Sequence, residues 1–232
     1  MRYFYSSGAY GYGEGYKWHR RYDFPYLPFV TKTLTLCPID RWIRKYAILP
    51  IGNSVLNKVS LHNIGVYNWI KEYYPLEPNH VTVSLAGTDD EIGTMIEILE
   101  HRTPYDIGGV EYNFSCPNVK SYSNKKVPYY DRVHLKLNYK QDPYDYDLNN
   151  VTSIRLNSIP ILGFCGGSGK VAQKKNWAFI EKFNKEGLNI AGCSFTCIDD
   201  IKRLEDLGCT EIGIGSIMLT NPRLVEGLKN GN

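Results

Sequence analysis

The chain has 232 residues, of which 43% are hydrophobic and 22% are charged, with a formal net charge of +3. This composition is typical of globular proteins and excludes disorder as a description of the whole chain. The charge is too small to indicate a nucleic-acid or anionic-membrane surface, and no apolar run approaches the roughly 18 residues of a membrane span. The sequence shows no signal-peptide pattern and no CxxC cysteine pair, so we expect a cytoplasmic protein with reduced thiols.

Short β-rich runs that end in small or polar residues recur along the chain. In chain order they are Met1–Gly8, Phe29–Thr33, His80–Gly87, Gly109–Asn113, Val133–Leu137, Thr152–Asn157, Leu188–Gly192 and Glu211–Ser216. Apolar residues recur with a helical period between several of these runs. The predicted helices are Asp89–Glu100, Gln173–Lys185, Asp199–Leu207 and Asn221–Lys229.

Strands that alternate with helices indicate a parallel sheet. Eight units of about 29 residues each predict an α/β fold of the (β/α)8 TIM-barrel type, formed by residues 1–232 as a single domain. An open, doubly wound sheet is the alternative. Ser115–Arg132 and Asn138–Val151 lack a helical period, so we predict a reduced barrel whose outer helices 4 and 5 are short or missing.

In a barrel of this kind the chemistry takes place at the carboxyl ends of the strands. The predicted strand ends carry cations, amides and one thiol, namely Lys32, Asn113, Cys116, Asn118, Lys136 and Asn157. They carry neither a pair of catalytic carboxylates nor a His/Cys cluster with the spacing of a metal site, so we predict no metal. A charged lysine inside a β-rich run is costly unless it has a use, which singles out Lys32 and Lys136.

A series of motifs resembles the dihydroorotate dehydrogenases in order and spacing. They are SSG at 6–8, VTKT at 30–33, LNKVSLHN at 56–63, EYNFSCPN at 111–118, HLKL at 134–137, LNSI at 156–159, GGSG at 166–169 and IGIGS at 212–216. The resemblance implies an FMN-dependent flavoprotein that oxidises dihydroorotate to orotate in de novo pyrimidine biosynthesis. A cysteine at 116, where other branches have serine, resembles the soluble class 1 enzymes.

The resemblance also implies the catalytic roles. Cys116 is the base, and FMN accepts the hydride. A thiol with an ordinary pKa of about 8.5 ionises readily when lysines lie near it. Lys136 compensates the negative charge of the reduced flavin, and Lys32 neutralises the substrate carboxylate. The amides suit a pyrimidine ring, whose edge alternates carbonyl and N–H groups.

Two residue sets follow from the same resemblance. The substrate-binding set is Lys32, Asn57, Val59, Ser60, Leu61, Asn113, Asn118, Asn157 and Ser158. The cofactor-binding set is Ser7, Gly8, Lys32, Thr33, Asn113, Lys136, Leu156, Gly169, Cys193, Ser194, Gly215 and Ser216.

The sequence departs from the family in the loop that should bind the FMN phosphate. Ala191–Phe195 keeps only Gly192 where the family is glycine-rich, so we expect reduced flavin affinity. The missing outer helices lead us to expect a homodimer that covers the exposed strands. Fumarate is the favoured electron acceptor, with an electron-transfer partner subunit as the alternative. Two other functions stay open, namely a flavin enzyme for another pyrimidine, or a non-catalytic barrel that binds a pyrimidine or a protein.

Overall fold

The computed structural model describes residues 1–40, 47–58, 61–73, 80–103, 107–115, 127, 129–161 and 165–228. Its strands are β1 (Arg2–Tyr5), β2 (Phe29–Val30), β3 (Ile48–Ile51), β4 (Ser54–Asn57), β5 (Val81–Leu85), β6 (Gly109–Asn113), β7 (Val133–Leu137), β8 (Val151–Leu156), β9 (Ile159–Ile161), β10 (Cys165–Gly169) and β11 (Glu211–Ile214). Its α-helices are α1 (Val66–Tyr73), α2 (Asp89–Arg102), α3 (Lys170–Lys185), α4 (Ile198–Asp206), α5 (Ile217–Thr220) and α6 (Pro222–Glu226).

The main sheet is a parallel barrel. Seven strands follow one another in the order β11, β1, β2, β5, β6, β7 and β8. A short segment at residues 190–192 bridges the two ends, because the Ala191 N–H donates to the Ile154 carbonyl at 2.8 Å and the Gly192 N–H donates to the Glu211 carbonyl at 2.8 Å. All eight predicted β-rich runs therefore contribute to one sheet, and the reduced (β/α)8 barrel is confirmed.

The outer helices pack through the faces that the sequence predicts. Thr88 caps α2, since its hydroxyl accepts from the Glu91 N–H while the Glu91 carboxylate accepts from the Thr88 N–H. The residues of α2 that face the strands are Ile92, Met95, Ile96 and Leu99, all of them buried. Helix α1 has no counterpart among the predicted helices, and neither has the short helix α5. The predicted helix at 221–229 appears as α6, which begins at Pro222 and ends at Glu226.

The gaps in the outer layer lie where the sequence lacks a helical period. Between β7 and β8 the only helix is a single 3₁₀ turn at Pro143–Asp145, which confirms the vestigial fifth helix. Between β6 and β7 no helix occurs at residues 114, 115, 127 and 129–132, and the remainder of that segment lies outside the described residues. None of the described helices has the length and apolarity that a membrane crossing requires.

A second, antiparallel sheet was not predicted from the sequence. Its strand order is β3, β4, β10 and β9, and β3 and β4 contact α5 at the carboxyl end of the barrel. Strand β10 is the glycine-rich sequence CGGSG, a composition that is disfavoured in strands. The glycines are required by close approach, because a Cβ at Gly166 would lie 2.6 Å from Ser158 Oγ and one at Gly167 would lie 2.7 Å from Ile161 Cγ1.

His19 lies in an aromatic cluster at the segment that follows β1. Its ring stacks on Tyr10 at 5.3 Å between centroids and makes edge contacts with Tyr16, Trp18 and Phe24. His19 Nδ1 accepts from the Tyr16 N–H at 3.2 Å, while the buried Nε2 has no hydrogen-bond partner among the described residues. Burial lowers the pKa of His19 to about 4. The folded protein therefore holds this imidazole in its neutral form.

This depressed pKa predicts a loss of stability in mild acid. Below about pH 6.5 the unfolded chain binds a proton at His19, whereas the folded chain does so only near pH 4. The free energy of unfolding should therefore fall by about 2–3 kcal/mol across that window. Urea unfolding at pH 7.5 and pH 4.5 measures the change. In His19→Phe the contribution of His19 should disappear and that of His134, whose pKa burial also lowers, should remain, whereas in His101→Gln, at an exposed position, the full pH dependence should persist. An undiminished pH dependence in His19→Phe would refute the assignment.

Candidate active site

A cavity of about 870 Å³ opens at the carboxyl end of the barrel. It is lined by the segments that follow the barrel strands and by the second sheet. All of the predicted site residues that the structure describes line it: Ser7, Gly8, Lys32, Thr33, Asn57, Leu61, Asn113, Lys136, Leu156, Asn157, Ser158, Gly169, Cys193, Ser194, Gly215 and Ser216. Predicted positions Val59, Ser60, Cys116 and Asn118 lie outside the described residues.

Lys32 projects into the cavity directly after β2. Its backbone N–H donates to the Gly11 carbonyl at 2.7 Å, and its ammonium lies 5.9 Å from the centre of the Tyr12 ring. Burial lowers the pKa of Lys32, and the charge of Glu14 opposes that shift in part. A partly desolvated ammonium favours an anionic ligand, which would replace the lost hydration.

A chain of hydrogen bonds joins the amides of β6 and of the segment after β8. Asn157 Nδ2 donates to Ser115 Oγ at 2.8 Å, and Ser115 Oγ donates to Asn113 Oδ1 at 2.7 Å. Asn113 Nδ2 in turn donates to Thr33 Oγ1 at 3.1 Å. These bonds fix the orientation of both amides at the cavity wall. Ser115 was not among the predicted site residues, although it lies inside the quoted EYNFSCPN motif.

A buried carboxylate on β6 holds two cations from the neighbouring strands. Glu111 lies 3.7 Å from the Lys136 ammonium and 3.5 Å from Arg155 Nη1, and it accepts from Ser84 Oγ at 2.8 Å. Lys136 and Arg155 are opposite each other in the register of β7 and β8. Sequence reasoning missed Glu111 and Arg155, although the cost of a buried charge that singled out Lys136 applies equally to both.

The loop after residues 190–192 has a serine, not a glycine, where its backbone is left-handed. Ser194 has φ 61°, and among the described residues it is the one non-glycine in the left-handed region. Its hydroxyl accepts from Asn176 Nδ2 at 3.1 Å, and the Trp177 indole N–H donates to the Cys193 carbonyl at 2.9 Å. Burial raises the pKa of the Cys193 thiol to about 11. Cys193 is therefore a neutral wall of the cavity at physiological pH.

No protein-family model matches the chain. Among curated proteins it is similar to the catalytic subunit of dihydroorotate dehydrogenase B (NAD(+)) from Endomicrobium trichonymphae, with 35% identity over 108 residues, which are 44% of this chain and 32% of the relative. The corresponding subunit from Porphyromonas gingivalis is 35% identical over 127 residues, 50% of this chain and 38% of the relative. The alignments thus span about a third of the length of these relatives.

Solved structures of a dihydroorotate dehydrogenase share the barrel fold of this chain. The ligand-free DHODH (dihydroorotate dehydrogenase) from Eimeria tenella superposes with a TM-score of 0.63 and 12% identity, over 85% of this chain and 74% of that one. The same enzyme in complex with ferulenol gives a TM-score of 0.62 and 13% identity, over 85% and 72% of the two chains. At this identity the likeness establishes the barrel fold alone.

Proposed function

We propose that this chain, whose sequence is similar to dihydroorotate dehydrogenase catalytic subunits, oxidises dihydroorotate to orotate with FMN in de novo pyrimidine biosynthesis. In that reaction one proton and one hydride leave adjacent ring carbons as a C=C bond forms, the proton to a base and the hydride to the flavin. The observation that carries the proposal is that one cavity gathers Lys32, Lys136 and the amides of Asn57, Asn113 and Asn157.

The cavity offers what a carboxylated pyrimidine requires. Lys32 is the partly desolvated cation that would pair with the substrate carboxylate, assisted by the segment that includes Leu61. The fixed amides of Asn113 and Asn157 would bind the ring carbonyl and N–H groups. An analogue without those groups would leave buried amides unpaired, which supplies selectivity.

The described residues also fit FMN. The volume of about 870 Å³ lies in the range of cofactor sites. Two residues of the cavity wall each have a buried polar atom without a hydrogen-bond partner among the described residues, Arg155 Nε and Asn176 Oδ1. Gly169 lies beside Ser216, because a Cβ there would lie 3.2 Å from Ser216 Oγ. Ser194, Gly215 and Ser216 line the same cavity and would hold the phosphate. A bound FMN would supply the two-electron acceptor for the reaction.

Cys116 is the proposed base. The residue before it, Ser115, bonds to both Asn113 and Asn157 at the cavity wall, beside the amides that are proposed to bind the substrate. A base must lie within hydrogen-bond reach of the proton that it removes. The placement of Ser115 supports that role for the next residue.

The electron acceptor and the assembly are further parts of the proposal. Fumarate is the acceptor favoured by the sequence, whereas the names of the relatives, which include NAD(+) and a catalytic subunit, support an electron-transfer partner subunit. A homodimer is proposed because no α-helix covers the barrel between β7 and β8. The free thiols of Cys37, Cys165, Cys193, Cys197 and Cys209 support a cytoplasmic location.

One observation favours a second candidate, a non-catalytic barrel that binds a pyrimidine. The family's phosphate loop is glycine-rich, whereas here Ser194 occupies the left-handed position and its hydroxyl is already bonded to Asn176. If this loop binds the FMN phosphate too weakly, flavin binding would be lost, while the amides that bind the pyrimidine would stay intact. A flavin enzyme for an uncarboxylated pyrimidine is less well supported, because Lys32 would then have no anionic partner in the substrate.

An absorption spectrum of the protein reconstituted with FMN tests the proposal. Flavin bands that bleach on anaerobic addition of dihydroorotate would support both cofactor and substrate. Bound flavin that stays oxidised would exclude dihydroorotate as the reductant. Orotate binding without flavin binding would favour the non-catalytic barrel.

Replacing Lys32 with methionine should weaken substrate binding more than flavin binding. Loss of a charge-assisted bond of about 1.5–3 kcal/mol corresponds to a Kd for orotate that is about 10–150-fold higher. Titration of the flavin spectrum with orotate measures the Kd. The control is Lys174→Met, which removes an exposed lysine outside the cavity. Equal orotate affinity in Lys32→Met and the wild type would place the carboxylate elsewhere.

A further inference from the structure

We infer that Arg155 is a second cation of the flavin site, which tunes the reduction potential of bound FMN by stabilising its two-electron-reduced, negatively charged form. This inference rests on the proposed function and assigns a role to a residue that neither the motifs nor the comparisons single out. It is carried by the burial, the bonding and the charge balance around Arg155.

Arg155 lies in the wall of the cavity and is only 7% exposed. Its guanidinium carbon lies 4.2 Å above the centre of the Phe4 ring, which fixes the plane of the group. Its only close carboxylate among the described residues is Glu111, at 3.5 Å. The Nε–H donor is buried and has no partner in the described part of the chain. An arginine held in this way retains donor capacity for a ligand in the cavity.

The charges of the group formed by Glu111, Lys136 and Arg155 do not cancel. Lys136 and Arg155 both contact Glu111, so the three side chains together carry one net positive charge. The neighbouring His134 supplies no negative charge, and burial lowers its pKa well below the usual range, with the charge of Arg155 as a further cause. Glu211, the next buried carboxylate, accepts from Ser153. A net positive charge in a desolvated cavity is stable when an anion balances it.

The ligand that gains most from this arrangement is one that becomes more negative during the reaction. Oxidised FMN has a neutral ring system, whereas the reduced ring gathers negative charge. A fixed cation in a cavity of low polarity stabilises the charged form more than the neutral one. Arg155 neutralises Glu111, which leaves the Lys136 charge available, and it adds an unused donor of its own. Both effects should raise the affinity for reduced FMN relative to oxidised FMN.

The test measures the reduction potential of bound FMN by equilibration with a reference dye, so it does not require dihydroorotate. In Arg155→Met the ratio of the affinities for reduced and oxidised FMN should fall at least tenfold, which is a potential lower by about 30 mV for a two-electron couple. Arg155→Lys should keep most of the ratio. Arg203→Met is the matched control, because it removes an exposed arginine that lies 5.4 Å from the Trp177 ring and outside the cavity.

A double variant separates an electrostatic role from a structural one. Arg155→Met/Glu111→Gln removes the cation together with the carboxylate and restores the net positive charge, so the potential should return toward the wild-type value. A potential that is unchanged in Arg155→Met while thermal stability falls would overturn the inference, and Arg155 would be only the counterion of Glu111. Flavin that binds but does not bleach with dihydroorotate would refute the proposed substrate and leave this measurement valid. Failure of the wild type to bind FMN would overturn both.

Discussion

Cys116→Ala should abolish rapid reduction of the bound flavin by dihydroorotate while orotate still binds. A positioned general base contributes about 10²–10⁴-fold to a proton-transfer step, so the rate of flavin bleaching should fall by that factor. The physical reason is that the hydride cannot leave unless the proton on the adjacent carbon leaves as well. Anaerobic stopped-flow absorbance measures the rate, and spectral titration measures orotate affinity.

The control for Cys116 is Cys37→Ala, because Cys37 is an exposed free thiol that does not line the cavity. It should reduce the flavin at the wild-type rate. Cys116→Ser provides a second comparison, since a hydroxyl is a poorer base than a thiol at neutral pH but occupies similar space. Rapid bleaching in Cys116→Ala would contradict the assignment and transfer the role of base to another group at the cavity.

Lys136→Met should lower the rate of flavin reduction by about 10²–10³-fold. The ammonium lies at the cavity wall 3.7 Å from Glu111, and its loss would leave only the Arg155–Glu111 pair, which has no net charge, beside the charge that develops on the flavin. Removing one group that stabilises a developing anion costs about 2.7–4 kcal/mol. Binding of oxidised FMN should weaken less than the rate, because the oxidised ring carries no such charge. Stopped-flow reduction and fluorescence titration with FMN measure the two effects.

The control for Lys136 is Lys185→Met. Lys185 also pairs with a carboxylate, Glu181 at 2.8 Å, but the pair is exposed on α3 and lies outside the cavity. Exposed pairs of this kind contribute little to stability, so this variant should match the wild type in rate and affinity. Wild-type kinetics in Lys136→Met would remove Lys136 from the site.

The sequence by itself determined the barrel and the cations and amides of its mouth. Eight β-rich runs that alternate with helices predict a closed parallel sheet. The carboxyl ends of its strands meet at one edge, and this geometry brings Lys32, Asn113, Lys136 and Asn157 together. The sequence also predicted that the fifth outer α-helix is missing, because a segment without a helical period has no apolar face to pack against the strands.

The tertiary structure decided what those patterns do not encode. The glycine-rich β10 forms a strand because it pairs with both β4 and β9, and its glycines leave room for the side chains of Ser158 and Ile161. The Glu111–Lys136–Arg155 group depends on inward-facing positions of three neighbouring strands, and a charge that is costly in one strand becomes stable only when its partners converge. Pairing across strands is a property of register, which local sequence patterns do not specify.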